Sequence, residues 1–128
     1  MNILKRLLGA GKTPREVDGA WQVPIIQEIA VAMIHQIPEE WTSAKLLLEP
    51  TEQGLGRGMN HSAITPQSGD GFALQDSHFV MPDMAVMAAT RKLELGWVER
   101  KATFKRAIIT ATRDDSGGWG IQSEYEHP

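Results

Sequence analysis

The sequence contains no cysteine, one tyrosine and three phenylalanines. Without cysteine there are no disulfide staples and no thiolate-held zinc or iron-sulfur site, as suits a reducing compartment. Long apolar runs are also missing. The most apolar stretch, Pro24 to Ile37, is broken by Gln27, Glu28, His35 and Gln36, and a membrane span needs about 20 apolar residues. Lys5 and Arg6 are followed by no apolar segment of signal-peptide length, so the expected location is cytoplasmic, with no membrane partner. A strong charge of either sign is absent too. The net charge of −3 and pI near 5.8 argue against a general nucleic-acid binder, which is usually strongly basic.

What remains is 128 residues, 41% of them hydrophobic, enough for one domain with one core. Residues 1–20, with Gly9, Gly11, Pro14 and Gly19, read as a flexible lead-in to a single domain over 21–128. Ile26, Ile29, Ala30, Met33 and Ile37 recur at the spacing of one helix face, and Pro24 and Pro38 bound that helix. Ala44, Leu46 and Leu48 alternate with Lys45 and Glu49 as a strand closed by Pro50. Further short strands are expected at His61–Thr65 and Gly71–Leu74, among glycine-rich turns. Asp83 caps a second helix expected to end near Leu95, with Gly96 as its stop and Met84, Met87 and the Arg91 stem beside Val86 and Leu93 on its buried side. The run 103–113, the turn Asp114-Asp115-Ser116-Gly117-Gly118 and the alternating run 119–126 form a hairpin, with Trp119, Ile121 and Tyr125 inward and Gln122, Glu124 and Glu126 outward. Trp21, Trp41, Trp97 and Trp119 are each expected at a junction, pinning a turn to the core. The expected fold is α+β: an antiparallel sheet of about five strands with two main helices on one face, in the order helix, strands, helix, hairpin.

Charge is distributed in blocks. Residues 16–90 carry ten acids against Lys45 and Arg57, and residues 114–128 carry four acids and no base. Residues 91–113 carry seven bases against Glu94 and Glu99. Acidic blocks on a small domain suit a basic partner, because complementary potential speeds encounter.

No set of residues assembles a familiar active site. Gly9-Ala10-Gly11-Lys12-Thr13 resembles the end of a phosphate-binding loop, but Arg6 occupies the position of its first glycine. No cofactor is expected. His35, His61, His78 and His127 lack helical zinc spacing. A small metal-assisted hydrolase remains an alternative, with His61 and His78 approaching Asp70 and Asp76. An adaptor or chaperone for a secreted protein is another. No serine lies in a nucleophile motif, and Glu39/Glu40 and Asp114/Asp115 read as turn residues.

The segment Ile29-x-x-x-Met33-x-x-x-Ile37-Pro38-Glu39-Glu40-Trp41, leading into an apolar strand, resembles the opening of the bacterial immunity proteins typified by YezG. The tail Asp115-x-Gly117-Gly118-Trp119-x-Ile121-x-x-Glu124-Tyr125-Glu126 is similar to that family's hairpin and closing tyrosine strand. The likeness spans roughly residues 22–126; glycines in Gln53–Gln75 replace an aromatic-rich strand of the family. The resemblance implies a cytoplasmic, non-enzymatic immunity protein that binds the C-terminal domain of a polymorphic toxin, often a nuclease, and blocks it stoichiometrically. With a basic toxin as partner, the expected docking residues are Glu39, Glu40, Glu49, Glu124 and Glu126.

Overall fold

The computed structural model describes residues 19–66 and 79–127. A 3-10 turn, Gly19–Gln22, leads into α1, Val23–Gln36. β1 is Ser43–Pro50, β2 Met59–His61, α2 Met84–Glu99, β3 Arg106–Arg113 and β4 Trp119–Glu126. The strands form an antiparallel sheet in the order β2-β1-β3-β4. The class is α+β as expected, with four strands among the described residues. The strand expected at His61–Thr65 is instead the shorter β2, followed by isolated bridges from Thr65 to Lys45 and from Ile64 to Val80. The segment Gly71–Leu74 and most of the lead-in lie outside the described residues.

α1 follows its sequence pattern. Pro24 sits in its first turn, where its missing N–H has no role. Ile26, Ile29, Ala30 and Met33 are fully buried. Ile37 turns extended ahead of Pro38, its N–H still bonded to the Met33 carbonyl.

α2 departs from its pattern in two ways. It passes through Gly96 and ends at Glu99, where Lys101 takes the left-handed conformation and Ala102 N–H bonds the Trp97 carbonyl. Gly96 is a packing residue: a Cβ there would run into the ring of Trp21. Its buried side is Val86, Ala89, Thr90, Leu93, Glu94 and Trp97, while Met84, Met87 and Arg91 face outward. The face is set by the residues that reach the common core, and Trp97 fixes it. Rather than lying at a junction, Trp97 is fully buried within the helix and packs edge-on to Phe104 and Trp21 and tilted against Tyr125, with centroids 5.1–6.2 Å away. Trp41 and Trp119 are partly buried against the same core.

The inner sheet face presents Leu46, Leu48, Ile109 and Tyr125 to both helices. The Tyr125 hydroxyl donates to Gln22 Oε1, a fully buried amide at the start of α1. Burial pushes the phenol far above its usual range, so it stays a donor at any physiological pH. The outer face carries Lys45, Leu47 and Glu49 from β1, Arg106, Ile108 and Thr110 from β3, and Gln122, Glu124 and Glu126 from β4. No described helix packs on it.

Candidate functional site

The five glutamates expected to dock a partner fall into two groups. Continuing the β1–β3 register one step past Leu48↔Ala107 puts Glu49 opposite Arg106, which itself pairs with Glu126. The Arg106 guanidinium lies 3.4 Å from Glu49 Oε2 and 3.3 Å from Glu126 Oε2. Glu124 lies opposite Ile108 on the same outer face. Glu39 and Glu40 sit elsewhere, in the exposed turn after α1, where the Glu39 carbonyl accepts from Arg113. Ser43 to Glu49 spans about 20 Å at the rise of a strand, so the two groups mark opposite ends of the sheet. The structure gathers Glu49, Glu124 and Glu126 and leaves Glu39 and Glu40 apart. Arg106 and Lys45, on the same face, offset two of the three gathered charges, and a small negative excess remains.

A second polar cluster lies between α2 and the loop joining β1 to β2, at an open cleft of about 210 Å³ lined by Gly58, Met59, His61, Met87, Thr90, Arg91 and Glu94. Glu94 is almost wholly buried. Its Oε2 accepts the Gly56 and Gly58 amides at 2.8 and 2.9 Å, and its Oε1 accepts from Arg91 at 2.6 Å. Gly56 and Gly58 have φ of +93° and +121°, conformations that let both amides converge on one carboxylate and that suit glycine. Burial alone would raise the Glu94 pKa; the bonds from Arg91 and the two amides outweigh it and hold the group below its ordinary value.

His61 Nε2 lies 2.7 Å from Thr90 Oγ1, and the Thr90 hydroxyl donates its single proton to the Met87 carbonyl at 3.0 Å. The ring's tautomer sets which of His61 Nε2 and Thr90 Oγ1 donates in their contact. Burial holds its pKa below the usual 6.5, against the smaller opposing pulls of the Met59 carbonyl and the Glu94 charge. The pair His61–Thr90 has the geometry of a base and a hydroxyl, but Thr90 is buried and spends its proton on its own helix. What the cluster does is fasten: it ties a glycine-rich loop and a short edge strand to α2. The other proposed metal ligands, Asp70, Asp76 and His78, lie outside the described residues. Among the described residues no three His, Asp or Glu side chains converge to hold a metal.

The Glu94 clasp escapes a reading based on charge alone, since Glu94 sits in a basic block and suggests a solvated face. One signal was present: Thr90, Glu94 and Trp97 share the i, i+4, i+7 spacing of one helix side, facing a sequence with glycine at both 56 and 58. No family model matches this chain, and no curated protein matches it.

Proposed function

We propose that this protein is a cytoplasmic immunity protein that binds a cognate polymorphic toxin domain, a basic one such as a nuclease, and neutralises it in a stoichiometric complex. The observation that carries the reading is the outer sheet face, where Glu49, Glu124 and Glu126 share a surface on which no described helix packs. A nuclease must present positive charge to phosphates, and an acidic face competes for that charge. The likeness to the immunity family, in the helix ending at Ile37-Pro38 and in the hairpin through Gly117-Gly118-Trp119, supports the same reading. In this role the chain needs no cofactor and performs no reaction; its work is occlusion. Among the described residues no helix is long and apolar enough to cross a membrane.

The test is protection. Cells expressing the C-terminal toxin domain encoded beside this gene are expected to survive when the chain is co-expressed, and the two proteins should copurify at one to one. Toxicity undiminished at matched expression would overturn the proposal.

A further inference from the structure

Six of the seven large apolar side chains exposed among the described residues lie between Phe79 and Val98. Four of them, Met84, Met87, Leu95 and Val98, sit on α2, and Met84 is 87% exposed. At 3.6 residues per turn these four and Arg91 fall within about 80° of arc, centred about 130° from the buried side of the helix. Concentrated apolar exposure of this kind marks a contact surface, while scattered exposure does not.

The spacing of the stripe specifies its occupant. Counted from Arg91, the positions are −7, −4, 0, +4 and +7, a pattern unchanged when the helix is reversed. A two-fold interface requires that self-complementarity. We infer that α2 pairs antiparallel with α2 of a second copy of this chain, about an axis at Arg91. Met84 then meets the second copy's Val98, and Met87 meets its Leu95, in a seam about 21 Å long. Methionine suits such a seam because its flexible thioether fills irregular gaps.

The charges agree with this orientation. Asp83 caps the N-terminus of α2 and Lys101 follows its C-terminus, and both are exposed. Antiparallel pairing brings the end of each helix that carries Asp83 to the end of the other that carries Lys101, whereas parallel pairing would set like ends together. The two Arg91 side chains meet at the axis, each already bonded to its own Glu94 at 2.6 Å, so the central cluster carries no net charge. The helices lie on one side of the sheet and the outer face on the other, so the dimer leaves Glu49, Glu124 and Glu126 turned outward on both copies. It stands whether or not those faces dock a toxin.

The experiment needs no toxin. Sedimentation equilibrium of the wild-type chain from roughly 1 to 300 µM should show a concentration-dependent dimer, and Met87→Glu with Leu95→Glu should abolish it while the thermal midpoint holds. Because the chain has no cysteine of its own, single cysteines report the register. A mixture of Met87→Cys and Leu95→Cys chains should form a disulfide heterodimer under mild oxidation, and either variant alone should not. A wild-type chain that stays monomeric throughout, leaving the stripe to some other protein, would overturn the inference. So would either variant cross-linking alone as readily as the mixture, or a dimer indifferent to the double glutamate change.

Discussion

β4 pairs with β3 along all eight of its residues, while at the other edge of the sheet β2 pairs with β1 over only three. The first pairing is local. Asp114 closes the turn, its Oδ1 accepting from Ser116 and Gly118 amides, and alternation sends Ser123 and Tyr125 inward with partners, Ile109 and Ala107, just across the hairpin. The second edge is short, follows a loop of glycines, and is held by Glu94, 36 and 38 residues away from the amides it binds. One edge is specified by its own pattern and the other by a carboxylate on a distant helix. The difference predicts unequal stability: the β3–β4 side should resist opening together with the core, and the β1–β2 loop should open first.

The strongest test of the stable side is Trp97→Ala. Trp97 is fully buried among Trp21, Phe104 and Tyr125, and removal of such a ring costs about 3–5 kcal/mol through lost burial and the cavity left behind. Ile29→Ala, at a fully buried site on α1, should cost about 2–5 kcal/mol. Chemical denaturation should show a large drop in midpoint for both. A small shift for Trp97→Ala would mean the ring cluster is not the common anchor of the two helices and the hairpin.

The other edge is tested by Glu94→Ala. It leaves the Gly56 and Gly58 amides without their acceptor and should cost about 1.5–3 kcal/mol, the range for hydrogen bonds to a charged group. The expected signature is regional: in hydrogen exchange, the amides of residues 56–61 lose protection while those of β3 and β4 keep theirs. Uniform loss across the sheet would show the two edges to be one cooperative unit. Because three donors surround the vacated position, millimolar formate should restore part of the protection by standing in for the carboxylate.

How much of this could be read beforehand follows the same division. α1, β1 and the hairpin were legible because each carries its evidence within a few residues: Pro24 and Pro38 bound the helix, Ala44-x-Leu46-x-Leu48 declares its face, and Gly117-Gly118 closes the turn. β2 and the end of α2 were not. Gly96 looks like a terminator because local chemistry makes it one, yet the ring of Trp21, 75 positions earlier, turns it into a packing site. Met84 and Met87 look like core by hydropathy alone; the position of Trp97 rotates them to the surface. As for the docking acids, alternation correctly turned Glu124 and Glu126 outward, but it held no information on Arg106 lying between Glu49 and Glu126.

Acid should sharpen the contrast between the edges. His61 and Glu94 both have folded-state pKa values below their ordinary ones, so each contributes stability that is present above its unfolded pKa and lost as pH falls through its folded one. For His61 the loss begins below pH 6.5 and for Glu94 below pH 4.5. Both groups sit on the β2 side, so mild acid should raise exchange at residues 56–61 before it touches the hairpin. His61→Asn, a neutral donor in place of the ring, should remove the earlier of the two losses; an unchanged acid profile would assign that loss to another group.

The smallest effect on folding, and the one most telling for function, belongs to the outer face. Glu124 and Glu126 are exposed, and exposed charges contribute only about 0–1 kcal/mol each to stability. Reversing both to Lys should leave the thermal midpoint nearly unchanged, with Glu126→Lys the costlier of the two because it sets a cation beside Arg106, now held by Glu49 alone. Against a basic toxin domain the same double reversal should slow association, and the difference from wild type should shrink as salt rises, because steering acts before contact and is screened over about 8–10 Å at physiological ionic strength. Glu39→Lys with Glu40→Lys is the matched control: two reversals at the far end of the same sheet, about 20 Å from Glu49. Association rates at two salt concentrations separate the cases. Slowing confined to the Glu124/Glu126 variant places the partner on the β4 end of the face, equal slowing by both reports only the net charge, and no change in either moves the interface off the sheet altogether.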